Sequence, residues 1–120
     1  MRRAAKTDKV KDDKSHLFAH YWRIVLPDAD EGVNEYRFHQ LRQWRFDWAM
    51  PEAGVAVEVE GGVWIQGGHT RGAGYSANLE KYNEAAALGW IVLRFTPQML
   101  DADPATCVKQ VQRAIVSTEH

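Results

Sequence analysis

The clearest signal in this chain is a pair of two-residue alternations separated by a turn. Trp44, Phe46 and Trp48 alternate with Arg45, Asp47 and Ala49. Val55, Val57 and Val59 alternate with Ala56, Glu58 and Glu60, and Met50-Pro51-Glu52-Ala53-Gly54 lies between the two runs. Aromatic and β-branched residues at period two, joined by Pro and Gly, predict a β-hairpin. Upstream, Leu17, Phe18, Tyr21, Trp22, Val25 and Leu26 recur at spacings of three and four. That spacing predicts an amphipathic helix over 15–26, with Ser15 as its cap and Pro27 beyond its end. A further strand is expected within 34–40, where Tyr36 and Phe38 alternate with charged neighbours.

Downstream, glycines at 61, 62, 67, 68, 72 and 74 mark a loop. Tyr75, Leu79, Tyr82 and Leu88 then fall on one helical face, and Gly89 suits the position after a helix end. Trp90-Ile91-Val92-Leu93 is a nearly continuous apolar run, of the kind expected for a central strand buried on both faces. Asp103-Pro104 combines a cap with proline at the first helical position, and Val108, Val111, Ile115 and Val116 form the stripe of a last helix. The order predicts an α/β fold, a mixed β-sheet flanked by helices in an α/β/α sandwich. Residues 1–14, dominated by Lys, Arg and Asp, are expected to be a flexible start, and 15–120 a single domain.

Composition narrows the partners. The 120 residues carry 15 basic and 16 acidic side chains, a net charge of -1, so a nucleic-acid surface has to come from local clustering. Arg37, His39, Arg42 and Arg45 form such a cluster, to which Arg71 and Lys81 add if they share its edge. The single cysteine, Cys107, excludes an internal disulfide and a cysteine-based zinc site. With no apolar signal stretch and no membrane-length apolar run, a soluble cytoplasmic protein with no membrane partner is expected.

The candidate chemistry lies in the hairpin. Period two sets Glu58 and Glu60 on one face of the second strand, and the turn folds Asp47 back beside them. Three converging carboxylates repel one another and lose hydration unless a cation joins them. Mg²⁺, with its preference for hard oxygen ligands, matches that set, and Mn²⁺ substitutes for it. The plainer reading of Glu58 and Glu60 is the solvated face of an amphipathic strand.

The run Arg45-Phe46-Asp47-Trp48-Ala49, followed by Pro51 and then Val55-Ala56-Val57-Glu58-Val59-Glu60-Gly61-Gly62, resembles the second and third motifs of the PD-(D/E)XK nuclease superfamily. The similarity is to its very-short-patch-repair-like domains and small phage and prophage endonuclease-like proteins. It extends over residues 35–100, through a His-containing loop (Gly67-Gly68-His69-Thr70-Arg71-Gly72), an acidic helix (Asn78 to Asn83) and a strand reading Leu88-Gly89-Trp90-Ile91-Val92-Leu93-Arg94-Phe95.

The resemblance implies a restriction-endonuclease-like core with Asp47 and Glu58 as metal ligands and the Val59 carbonyl beside them. Glu60 stands where the superfamily most often has lysine, so it would bind metal or accept a proton from the attacking water, and Lys81 would supply the missing cation. Phe46 stands where the motif's short name has proline. His69 would act as acid, base or phosphate contact, and Arg71, with Arg37, Arg42 and Arg45, would hold the nucleic-acid backbone.

The function expected is Mg²⁺-dependent hydrolysis of DNA phosphodiester bonds. A chain this short has little room for a separate reading domain, which favours branched, mismatched or nicked DNA in phage or bacterial repair and recombination. Symmetric cutting of two strands would require a homodimer. The alternatives are a catalytically inactive DNA-binding or assembly module with the same fold, and an RNA-directed nuclease.

Overall fold

The computed structural model describes residues 6–60 and 73–119. Elements follow in the order α1 (Lys6–Val25), β1 (Val33–Arg37), β2 (Arg45–Met50), β3 (Val55–Val59), α2 (Ala73–Ala87), β4 (Ile91–Phe95), α3 (Pro97–Ala102) and α4 (Pro104–Ser117). The four strands form one mixed sheet in the order β1-β2-β3-β4, antiparallel up to β3 and parallel between β3 and β4. Helices cover both faces, so the α/β class with a sheet flanked by helices is as expected. No helix among the described residues is long and apolar enough to cross a membrane.

One face of the sheet carries the larger core. Trp48, Met50, Val55, Val57, Val59 and Phe95 meet Phe18 and Trp22 of α1, Leu100 of α3 and Val108 and Val111 of α4. The Phe18 ring meets Trp48 edge-on at 4.9 Å, a favoured geometry for aromatic pairs. The two buried indoles also fasten the loop after α1. Trp22 Nε1 donates to the Asp30 carbonyl at 2.8 Å, and Trp48 Nε1 to the Glu31 carbonyl at 3.0 Å. The second face is smaller: Phe46, Ala49 and Ala56 pack on Ala85 of α2, with Tyr36, Phe38, Trp90 and Val92 around them. Alanines at 49, 56 and 85 let α2 lie close to the sheet.

Local chemistry sets the ends of these elements. After α2, Trp90 N–H donates to the Ala85 carbonyl and Gly89 N–H to the Ala86 carbonyl, while Gly89 takes φ +92°. This is the two-bond ending that a residue in the left-handed region allows. Asp103 caps α4 through Thr106, with Pro104 at the first position, as expected.

Two expectations are corrected. Helix α1 starts at Lys6, not Ser15, so Ser15 lies inside it and does not cap it. No Gly or Pro interrupts residues 1–26, and lysine is a good helix former. Among the described residues β4 is an edge strand, with Ile91 and Arg94 exposed, and β3 is the strand buried throughout. An apolar run covered by α2 on one face and α3 and α4 nearby reads the same whether or not a further strand pairs beside it. The short helix α3 was not anticipated; Thr96 caps it by accepting the Met99 N–H.

Candidate metal centre

Asp47 sits where the regular strand pairing lapses. Positions two apart on a strand normally share a face, yet Phe46 belongs to the α2 core and Trp48 to the opposite one. The β1–β2 register passes from Asn34↔Trp48 to Tyr36↔Phe46, leaving out Glu35 and Asp47. Glu35 has φ +53°, a left-handed conformation that only a few per cent of non-glycine residues adopt. On the other side, β2 and β3 pair only as far as Trp48↔Val57. Beyond that point the Val59 N–H donates to the Asp47 carboxylate at 2.7 Å instead of to a strand partner.

Glu58, one residue before Val59, is 7% exposed and is the one buried charged side chain among the described residues. Two neighbours on α2 satisfy it. Lys81 Nζ donates to Oε2 at 2.5 Å, and Tyr82 donates its hydroxyl to the same oxygen at 3.1 Å. A charge this buried is tolerated only when paired and hydrogen-bonded. Asp47 shows the strain of the arrangement: burial, joined by the nearby Glu58 charge and opposed by the Val59 N–H, pushes its pKa up to about 7. Burial and the Glu58 charge likewise raise the Tyr82 phenol, so it stays a donor.

Glu60 goes elsewhere. Its N–H donates to the Phe95 carbonyl, and its carboxylate accepts from Arg94 Nε at 2.8 Å. The Arg94 guanidinium in turn lies 4.0 Å from the Tyr82 ring centroid. Register explains this, because Arg94 stands opposite Glu58 on the parallel strand and its long side chain reaches toward the next acidic position. The expected convergence of Asp47, Glu58 and Glu60 is therefore reduced to Asp47 and Glu58, and no group of three metal-ligating side chains forms among the described residues. Two carboxylates still fit Mg²⁺, which is commonly held by one or two of them plus water and substrate phosphate.

The remaining candidates divide. Lys81 is brought directly onto Glu58, and the Val59 backbone lies against Asp47. His69 and Arg71 lie outside the described residues. Arg42 is held by Glu80 at 3.1 Å and lies over the Trp44 ring at 4.0 Å, while Arg37 and Arg45 are exposed register partners. Sequence reasoning missed two features. Tyr82 looked like one more residue on an apolar helix face, and only its adjacency to Lys81 marks it. His39 accepts the Leu41 and Arg42 N–H groups through Nδ1 and faces Glu84 through Nε2 at 3.3 Å, linking the β1–β2 loop to α2.

Comparison with protein-family models, curated proteins and solved structures finds no match to this chain.

Proposed function

We propose that this chain is a Mg²⁺-dependent DNA endonuclease acting on branched, mismatched or nicked DNA. The observation that carries the reading is the pairing of Asp47 with Glu58 at the lapse between β2 and β3, with Lys81 against Glu58. A buried carboxylate pair with one member pushed to neutrality is unfavourable in isolation, and buried, perturbed groups of this kind are enriched at functional sites. The order helix, three antiparallel strands, helix and parallel strand supports a restriction-endonuclease-like core.

Asp47 and Glu58 would hold the metal ion, with Mn²⁺ an acceptable substitute. When bound, that ion polarises the scissile phosphate and lowers the pKa of a bound water. The chain's own contribution is to keep the two carboxylates together: the Val59 N–H orients Asp47, and the Tyr82 hydroxyl orients Glu58. Lys81 is the cation that faces the phosphate, replacing the motif lysine that Glu60 lacks, and it steadies charge on the leaving oxygen. Glu60 joins as a proton acceptor only by leaving Arg94.

The test uses labelled duplex, nicked, mismatched and four-way-junction DNA with Mg²⁺, Mn²⁺ or EDTA. Metal-dependent cutting that disappears in Asp47→Ala supports the reading, and the preferred substrate defines the task. Cutting unchanged in a folded Asp47→Ala variant overturns it. One observation favours a second reading, a DNA-binding module without catalysis: Lys81 and Tyr82 already satisfy Glu58, so this carboxylate has its partners without a metal. That reading expects DNA binding and no turnover under any metal.

A further inference from the structure

Leu41 is the most exposed large apolar side chain among the described residues, at 84% of its full accessibility. It stands at the tip of the loop between β1 and β2, and the loop is held from several sides. The His39 Nδ1 accepts both the Leu41 and the Arg42 N–H, at 3.1 and 3.0 Å. Arg37 Nε donates to the Arg42 carbonyl, and Arg42 pairs with Glu80 of α2. Beneath the tip, Phe38 stacks on Phe46 at 4.1 Å with the rings 8° apart. The Lys81 ammonium lies 5.8 Å from the Phe46 ring on its way to Glu58. The apolar tip is thus connected to the carboxylate pair through packed rings and charged contacts.

Charge indicates what the tip meets. Arg37 and Arg45 are direct register partners across the β1–β2 ladder, and both are exposed. Like charges in that position repel. Among the described residues neither makes a salt bridge, whereas the carboxylates nearest the loop, Glu80 and Glu84, are matched by Arg42 and His39. A phosphate backbone would offset the repulsion between these two arginines. An apolar side chain beside arginines is also the composition of wedges that separate stacked base pairs.

We infer that the β1–β2 loop is a DNA-unstacking element in which Leu41 enters a base step while Arg37 and Arg45 hold the adjacent phosphates. This rests on the nuclease reading and specifies its substrate: DNA whose stacking is already weak, at a nick, mismatch or branch, where opening a step costs least. Because the loop holds Leu41 in place beforehand, little ordering is lost on insertion.

The experiment uses the full chain in EDTA with nicked duplexes carrying 2-aminopurine at successive steps near the nick. Wild type is expected to raise the emission at one step. Leu41→Ala should weaken binding by no more than about tenfold and lose that rise, and Leu41→Met should restore it. Binding by wild type and Leu41→Ala with the same rise, or with none in either, overturns the wedge and leaves the nuclease reading intact. No DNA binding by wild type, either in EDTA or with Ca²⁺ in its place, overturns both. A free protein that sediments as a dimer in wild type but as a monomer in Leu41→Ala assigns the tip to a protein interface and overturns the wedge.

Discussion

Asp47 receives the Val59 N–H at the point where β2 and β3 cease to pair, so one side chain takes the place of a strand partner. Its carboxylate is thereby held beside Glu58 at the cost of its own ionisation.

That cost gives a pH dependence. The ordinary aspartate pKa is 3.8, and burial raises the native value to about 7. Between these values the native state keeps a proton that the unfolded chain releases. This contribution to stability is complete below about pH 4 and is lost as pH rises through about 7. Asp47→Asn keeps an acceptor for Val59 and removes the titration. In thermal unfolding with EDTA, the variant should gain stability relative to wild type as pH is raised from 4 to 8. A difference between the two that does not change with pH would contradict the native-state shift.

Lys81→Met should destabilise strongly, because it leaves Glu58 buried without its cation. Removing one partner of a buried pair costs about 3 kcal/mol or more. The double variant Lys81→Met with Glu58→Gln should recover much of that loss, since no uncompensated charge remains. Urea unfolding of the two single variants and the double variant measures the coupling; simple additivity would show that the pair is worth little.

Arg37→Gln and Arg45→Gln should each reduce the slope of log affinity for DNA against log salt by about 1, the effect of one lost phosphate contact. Arg42→Gln should leave the slope unchanged, because Arg42 is engaged by Glu80 and Trp44. Binding isotherms at several salt concentrations separate the three, and a reduced slope for Arg42→Gln would put that side chain on the phosphate.

Gly32→Ala should unfold the protein more easily, by about 2 kcal/mol. Gly32 has φ +78°, and a Cβ there would lie 2.4 Å from the Trp48 ring. Trp48 is fully buried and hydrogen-bonded to Glu31, so it cannot move aside without loss. Denaturant midpoints for the two proteins give the comparison.

The hairpin, α2, α4 and the Val55, Val57 and Val59 alternation were legible because period and turn chemistry are local properties of the chain, whereas the break at Asp47 that sends Phe46 and Trp48 to opposite faces was not. Asp47 and Glu58 were legible for the same reason, since a short turn between adjacent strands brings them near each other. What the sequence hid depends on contacts distant along the chain. Glu60 sits in the same alternation as Glu58, and only the register of β4 shows that Arg94 claims it. The role of His39 depends on two backbone N–H groups of its own loop and on a helix some forty positions later. The edge position of β4 among the described strands was equally hidden, because an apolar run does not record how many strands flank it.

That edge has a consequence for the protein in concentrated solution. No described strand pairs with the outer side of β4, so its backbone is a template on which another extended chain can assemble. Arg94, exposed within β4 and anchored by Glu60, puts a bulky charge on that template. The same arginine that draws Glu60 away from the carboxylate pair thus sets a charged side chain on β4, the kind of residue that discourages edge-to-edge pairing.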